Sequence, residues 1–262
     1  MNIFEKWFCE YTQHALNVVA PDVKATVQMK ITHTYKVRDH CVMIAKDLML
    51  SPREVLLADI LGLYHDLGRF KQAMDFGTIN DKITGSHADM SAAVFLNDAP
   101  HDDLNETEVQ IIHDALKYHN LLELPPVDLE TLFFSRLIRD ADKLDILDLF
   151  SDWETNKKFL YLADDESDYS PEIVDLVLQG KNFNSGLIKS QNDIKLLYLS
   201  MIYDLNFSAS KQWIINNNIL ERFTNIKNNP DDVMVRVYAA IHDYLVLRIS
   251  TTSLLKSLPD RH

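Results

Sequence analysis

Apolar and polar positions follow a helical period along most of the chain. Phe4, Trp7, Phe8, Tyr11 and Ala15 recur at helical spacing, which predicts an amphipathic N-terminal helix ending before Pro21. His33 opens a stripe shared with Val37, Cys41, Ile44 and Leu48, so its imidazole is expected to point inward with the hydrophobes. Ser51, Pro52 and Glu54 read as a capping box with proline at the first helical position. That helix runs through Val55, Ala58 and Leu61 to His65 and Asp66, and Gly68 is placed to end it. Phe76, Gly77, Asn80 and Asp81 predict a loop, and Ser86 a cap for a helix beginning at His87. Asn105 with Glu108 marks the next start, on a stripe of Val109, Ile112 and Leu116 that also holds His119, and Pro125 and Pro126 close it. Asp128 then caps a long helix through Leu132, Ile138, Asp142, Asp145 and Leu149, in which Ile138 and Asp142 share the inward face.

Beyond Phe150 the acidic run from Ala163 to Asp168 reads as a solvated loop, followed by three or four helical patterns between Pro171 and Leu255. Asn216 to Asn218 and the group Asn228, Asn229 and Pro230 are turn signals; no internal repeat is present. Six glycines in 262 residues are few for a β-rich or phosphate-loop protein. The expected architecture is therefore all-α, with a helical core over 1–150 and a C-terminal helical layer over 151–262 packed on it.

Charge narrows the partners. Lys and Arg total 26 against 39 Asp and Glu, a net charge of -13 that repels the backbone of duplex nucleic acid. A small phosphate ester stays compatible with this, because a bound divalent cation reverses the potential locally. The first ten residues carry no basic segment followed by an apolar run, and no apolar stretch is long enough to span a bilayer, so a soluble cytoplasmic protein without a membrane partner is expected. Cys9 and Cys41 fit a reducing compartment as small buried hydrophobes.

Taken singly, an inward histidine is most simply a hydrogen-bonded core residue. His33, His65, Asp66, His119 and Asp142, however, fall on four predicted helices at core-facing or helix-end positions, and leaving them all buried and unpaired would be severely destabilising. One shared cation would satisfy them together. Imidazole and carboxylate ligands without thiolates suit Mn, Fe, Co, Ni or Zn, or Mg with added water.

The segment Leu63-Tyr64-His65-Asp66-Leu67-Gly68-Arg69-Phe70, after His33 and before Asp142 in Arg139-Asp140-Ala141-Asp142-Lys143-Leu144-Asp145, resembles the HD superfamily of metal-dependent phosphohydrolases. The residues around Asn80, His87, His119 and Tyr203 are further similar to one bacterial subgroup of HD hydrolases, so the resemblance covers most of the chain; the segment from about Leu205 to His262 adds no usable motif. The resemblance implies an HD-domain helical bundle holding one or two divalent ions through His33, His65, Asp66 and Asp142. His87 and His119 match in order the histidines that bind a second ion in two-metal members, and Asp66 is the candidate bridge. It implies hydrolysis of a small phosphorylated substrate by a metal-activated hydroxide. The signature of the cyclic-di-GMP phosphodiesterases of this superfamily is missing, which disfavours that substrate.

Three neighbouring residues carry alternatives. Arg69, one turn beyond the pair, either neutralises charge on phosphoryl oxygens or is an ordinary surface arginine. Asp81 either hydrogen-bonds a ligating histidine or fixes its loop. Lys143 touches the substrate or, more simply, faces solvent. His14, His40, His101, His113, His242 and His262 read as structural or solvated. Two other functions share the fold: a di-iron oxygenase of the kind represented by myo-inositol oxygenase, and a metal-stabilised nucleotide sensor without turnover.

Overall fold

The computed structural model describes residues 2–156, 168–228 and 230–256, and every regular element among them is helical. The all-α expectation is met. The chain divides into two compact units, Met1–Asp142 and Lys143–His262, and the division falls inside a continuous helix, earlier than the change of composition after Phe150 suggests. Of the expected loop over 163–168, residues 163–167 lie outside the described residues, as do Asn229 and His262. No helix among the described residues is long and apolar enough to cross a membrane.

The first unit contains α1 (Ile3–Val18), α2 (Lys24–Asp47), α3 (Pro52–Tyr64), α4 (Leu67–Phe76), the single turn α5 (Asp81–Thr84), α6 (His87–Asn97), α7 (Glu106–Tyr118) and the start of α8 (Leu129–Ser151). Most of these helices begin where a polar side chain replaces the missing partner of a first-turn N–H. Ser51 and Asn105 form full capping boxes with Glu54 and Glu108, Ser86 accepts from the Asp89 N–H, and Asp128 accepts from the N–H groups of Glu130 and Thr131. The Asn80 side chain accepts from the Lys82 N–H and starts α5, a helical turn inside the stretch expected to be loop.

α2 packs against α3, α4 against α6, and α6 against α7, while α1 lies across α2, α3 and α4. Aromatic side chains fill the space under α1: Phe8 and Phe70 meet edge to face at 5.8 Å, and the Tyr64 hydroxyl donates to the Phe4 carbonyl at 3.1 Å. Arg38 ties three helices together, pairing with Asp59 at 2.5 Å and with Glu5 at 3.0 Å. Cys41 is buried as expected, whereas Cys9 is only half-buried, its thiol 3.2 Å from the Tyr35 hydroxyl.

Two glycines set the spacing between these helices. A Cβ on Gly62 would sit 2.5 Å from the Arg38 Cα, so α2 and α3 touch through it. Gly68 does not end a helix, contrary to expectation. α3 already stops at Tyr64, Asp66 opens α4, and Gly68 lies in the first turn of α4, where a Cβ would fall 2.0 Å from the His87 carbonyl oxygen. Its N–H donates to Ser91 Oγ at 2.8 Å, binding α4 to α6 at the point where both carry candidate site residues.

The second unit holds the end of α8, the turn α9 (Trp153–Asn156), α10 (Pro171–Leu178), α11 (Gln191–Ser200), α12 (Ser208–Asn216), α13 (Ile219–Thr224) and α14 (Asp232–Lys256). Among the described residues between Pro171 and Leu255 there are five α-helices where three or four were expected, because α12 and α13 are short and parted by the left-handed Asn218. Met234, Val237, Ile241 and Leu245 form the buried stripe of α14, against which α10, α12 and α13 pack. Phe150 stacks on Tyr198 at 4.4 Å within the same unit.

Candidate metal centre

Five segments of the first unit bring their polar residues to one place. His33 stands midway along α2, His65 and Asp66 form the break between α3 and α4, His87 is the first residue of α6, His119 follows the last turn of α7, and Asp142 comes from α8. Apart from Asp142, whose side chain is 20% exposed, all of them are buried. The break after Tyr64 turns His65 and Asp66 inward together, which adjacent residues of an unbroken helix, about 100° apart, do not do.

Asp66 is the centre. Its Oδ2 lies 3.5 Å from the Nε2 atoms of both His33 and His65, and its Oδ1 lies 3.6 Å from His87 Nε2. Asp142 Oδ1 is 3.2 Å from His33 Nε2 and 3.9 Å from His65 Nε2. Five of the six residues form two groups that share Asp66, His33, His65 and Asp66 on one side and Asp66, His87 and His119 on the other, each with ligand atoms within 4.8 Å of one another.

The outer nitrogens of three rings fix what the inner ones can do. His65 Nδ1–H donates to the Gly62 carbonyl at 2.9 Å, His119 Nδ1–H to the Leu116 carbonyl at 2.7 Å, and His87 Nδ1–H to Asp81 Oδ2 at 2.7 Å. A carbonyl or a carboxylate only accepts, so each neutral ring carries its proton outside and turns a lone pair inward. With both rings neutral, the Nε2 atoms of His87 and His119 face each other lone pair to lone pair across 3.2 Å. Burial, with His87 and His65 adding to it, pushes the His119 imidazole down to about 3, so it does not take up a proton near neutrality to relieve the conflict. A proton on His87 or a cation shared by the two nitrogens relieves it, and the donor set fits a borderline divalent metal.

The carboxylates are ready to serve as ligands. Burial opposes ionisation of Asp66, but Lys30, His65, His87 and Arg69 outweigh it and hold the group well below the usual carboxylate range. At Asp142 burial is likewise overcome, chiefly by the hydrogen bond and charge of His33, and its pKa is lowered. Asp81 is brought down to about 2, its partial burial outweighed by the bonds to His87 and Gln72.

Of the neighbouring residues, Asp81 contacts His87 directly and also accepts from Arg69 at 2.7 Å and Gln72 at 2.8 Å. Arg69 is half-buried, its side chain 18% exposed, and Nη1 is bound by the Ile79 carbonyl and Asp81. Its Nε is buried without a hydrogen-bond partner, 3.8 Å from Asp66 Oδ1. Lys143 belongs to the second unit and pairs with Asp204 at 2.7 Å; with only 13% of its side chain exposed it is not a surface lysine. Among the other histidines, His101 bonds the Ala99 carbonyl, His113 bonds Asp114, and His242 stacks on Tyr238.

Two residues at the centre were missed from the sequence. Lys30 reaches Asp66 Oδ2 at 2.8 Å from one turn before His33 on α2, a spacing that could have marked it. Arg139, buried one turn before Asp142, donates to the His119 and Leu121 carbonyls and so closes the end of α7 that carries His119. Comparison with protein-family models, with curated proteins and with solved structures gives no match for this chain, so the reading of the centre rests on its own geometry.

Proposed function

We propose that this chain is a metal-dependent phosphohydrolase of the HD superfamily, acting on a small phosphate ester through one or two divalent ions. The observation that carries the reading is the approach of the His87 and His119 Nε2 atoms to 3.2 Å, with both rings bonded outward at Nδ1, beside an Asp66 whose two oxygens face different histidine groups. His33, His65 and Asp66 would hold one ion with Asp142 at its edge, and Asp66, His87 and His119 would hold the other. When bound, such an ion supplies Lewis acidity and a water acidic enough to yield hydroxide near neutral pH.

The chain's own residues do the rest. The Gly62 and Leu116 carbonyls and Asp81 keep three imidazoles in the tautomer that accepts at Nε2. Lys30, His65, His87 and Arg69 hold the Asp66 carboxyl well below the usual carboxylate range against the effect of its burial, so it is an ionised ligand near neutrality. Arg69, locked by Ile79 and Asp81, places a fixed positive charge beside Asp66 that would attract an anionic ligand.

The test combines metal content with turnover. Protein purified without added metal or chelator should hold close to two ions per chain, falling to one in His87→Ala/His119→Ala. Release of phosphate from a panel of phosphate esters with Mn under anaerobic conditions should be lost in Asp66→Ala while its circular dichroism stays unchanged. One ion in both proteins would remove His87 and His119 from the ligand set. Bound iron with O₂-dependent turnover would move the assignment to the oxygenases, and absence of turnover in the metal-loaded wild type would favour a sensor.

A further inference from the structure

Charge around Asp66 is distributed unevenly between its two sides. The four histidines and Asp66 are almost completely enclosed, with side chains 0–8% exposed where the ion-pair geometry involves them, whereas Lys30 and Arg69 are each 18% exposed and Asp142 20%. Lys30 and Arg69, the two cations beside Asp66, are thus the partly exposed side chains among its ion-pair partners. Lys30 Nζ meets Oδ2 of Asp66 at 2.8 Å, and Arg69 Nε stands 3.8 Å from Oδ1, so one cation flanks each oxygen.

The two cations are held very differently. Arg69 Nη1 is anchored to a backbone carbonyl and a carboxylate, which fixes its guanidinium. Lys30 is attached to the centre through a compact ammonium on a four-carbon stem, and its contact is with an oxygen that also faces His33 and His65. Lys30 would have to share that oxygen with any cation held by His33, His65 and Asp66. Like charges on one carboxylate oxygen repel, and of the groups involved the lysine has the freedom to turn away.

We propose that Lys30 is a substrate-binding residue whose ammonium, displaced from Asp66 Oδ2 in the metal-loaded protein, takes a phosphoryl oxygen of the ligand opposite the fixed Arg69. The inference rests on the phosphohydrolase reading above and adds a second phosphoryl contact to it. Lysine suits the task as a point charge with three donors and no demand on the plane of its acceptor. A lysine serving merely as counter-ion to Asp66 would instead support the carboxylate, and its loss would disturb the metal and leave phosphate binding otherwise intact.

Calorimetric titration of inorganic phosphate into Mn-loaded wild type, Lys30→Met and Lys30→Arg separates these roles, with Mn per chain measured on the same samples and Lys30→Gln as a second neutral variant. The expected result is unchanged Mn content throughout, phosphate affinity weakened about tenfold or more in both neutral variants, and largely retained affinity in Lys30→Arg, which keeps the charge. Unchanged phosphate affinity at full Mn content would overturn the role of Lys30 and leave the phosphohydrolase reading standing. Loss of Mn in the neutral variants would also overturn it, marking Lys30 as a support of Asp66. A wild type that takes up no Mn would sink both the lysine and the metal-dependent reading.

Discussion

Asp81 touches no candidate metal position, yet it governs one. Its Oδ2 receives the Nδ1 proton of His87, and Arg69 and Gln72 hold its Oδ1 from the other side. Without it the His87 ring could carry its proton on either nitrogen and turn about its side-chain bonds, so that the Nε2 lone pair would no longer be aimed at Asp66 and His119. Asp81→Ala should therefore weaken metal binding at the His87 and His119 side by about 10- to 100-fold, the usual range for removing the partner of a ligating histidine. Co(II) titration followed by its visible absorption should show one site weakened and the His33 and His65 side near its wild-type affinity. Equal affinity of both sites in the variant would show that His87 is oriented by its packing alone.

At the scale of elements, the helix break at His65 and Asp66 and the contact of Gly68 with α6 place the two halves of the centre against each other. In Gly68→Ala the new methyl would meet the His87 carbonyl oxygen at 2.0 Å and the Ser91 nitrogen at 2.8 Å, both backbone atoms that cannot rotate aside. Separating α4 from α6 should cost about 3 kcal/mol, at the upper end for overpacking, and should move His87. Urea denaturation would measure the loss, and a variant of wild-type stability would refute this close approach. The same glycine shows where sequence reading stops. Capped helix starts were readable at Ser51, Ser86, Asn105 and Asp128, because a cap and its N–H partner are neighbours in the chain. A glycine that ends a helix and one that lets another helix approach look alike until the partner is known. Lys30 and Arg139 escaped for a related reason: each acts at the tip of a long side chain, on an acceptor that folding brings close from 36 and 20 residues away.

For the whole molecule, all six candidate ligands lie in Met1–Asp142, although Asp142 is the last residue of that unit and Lys143 the first of the next. A ligand that binds only the folded state stabilises whatever unfolds together with its site, by about 2.7 kcal/mol at a free concentration 100 times its dissociation constant. Its ligands come from α2, the α3–α4 break, α6, α7 and α8, so metal should staple these segments to one another. Hydrogen exchange with and without Mn, at the same pH and temperature, reads this segment by segment. Amides of α2, α3, α6 and α7 that exchange through unfolding of the first unit should slow by about 100-fold under those conditions, whereas those of α10 to α13 should keep their rates. The same slowing in both sets would mean that the two units unfold as one cooperative body. No slowing anywhere would mean that the inward lone pairs of His87 and His119 are satisfied without a metal, and the proposed centre would lose its physical basis.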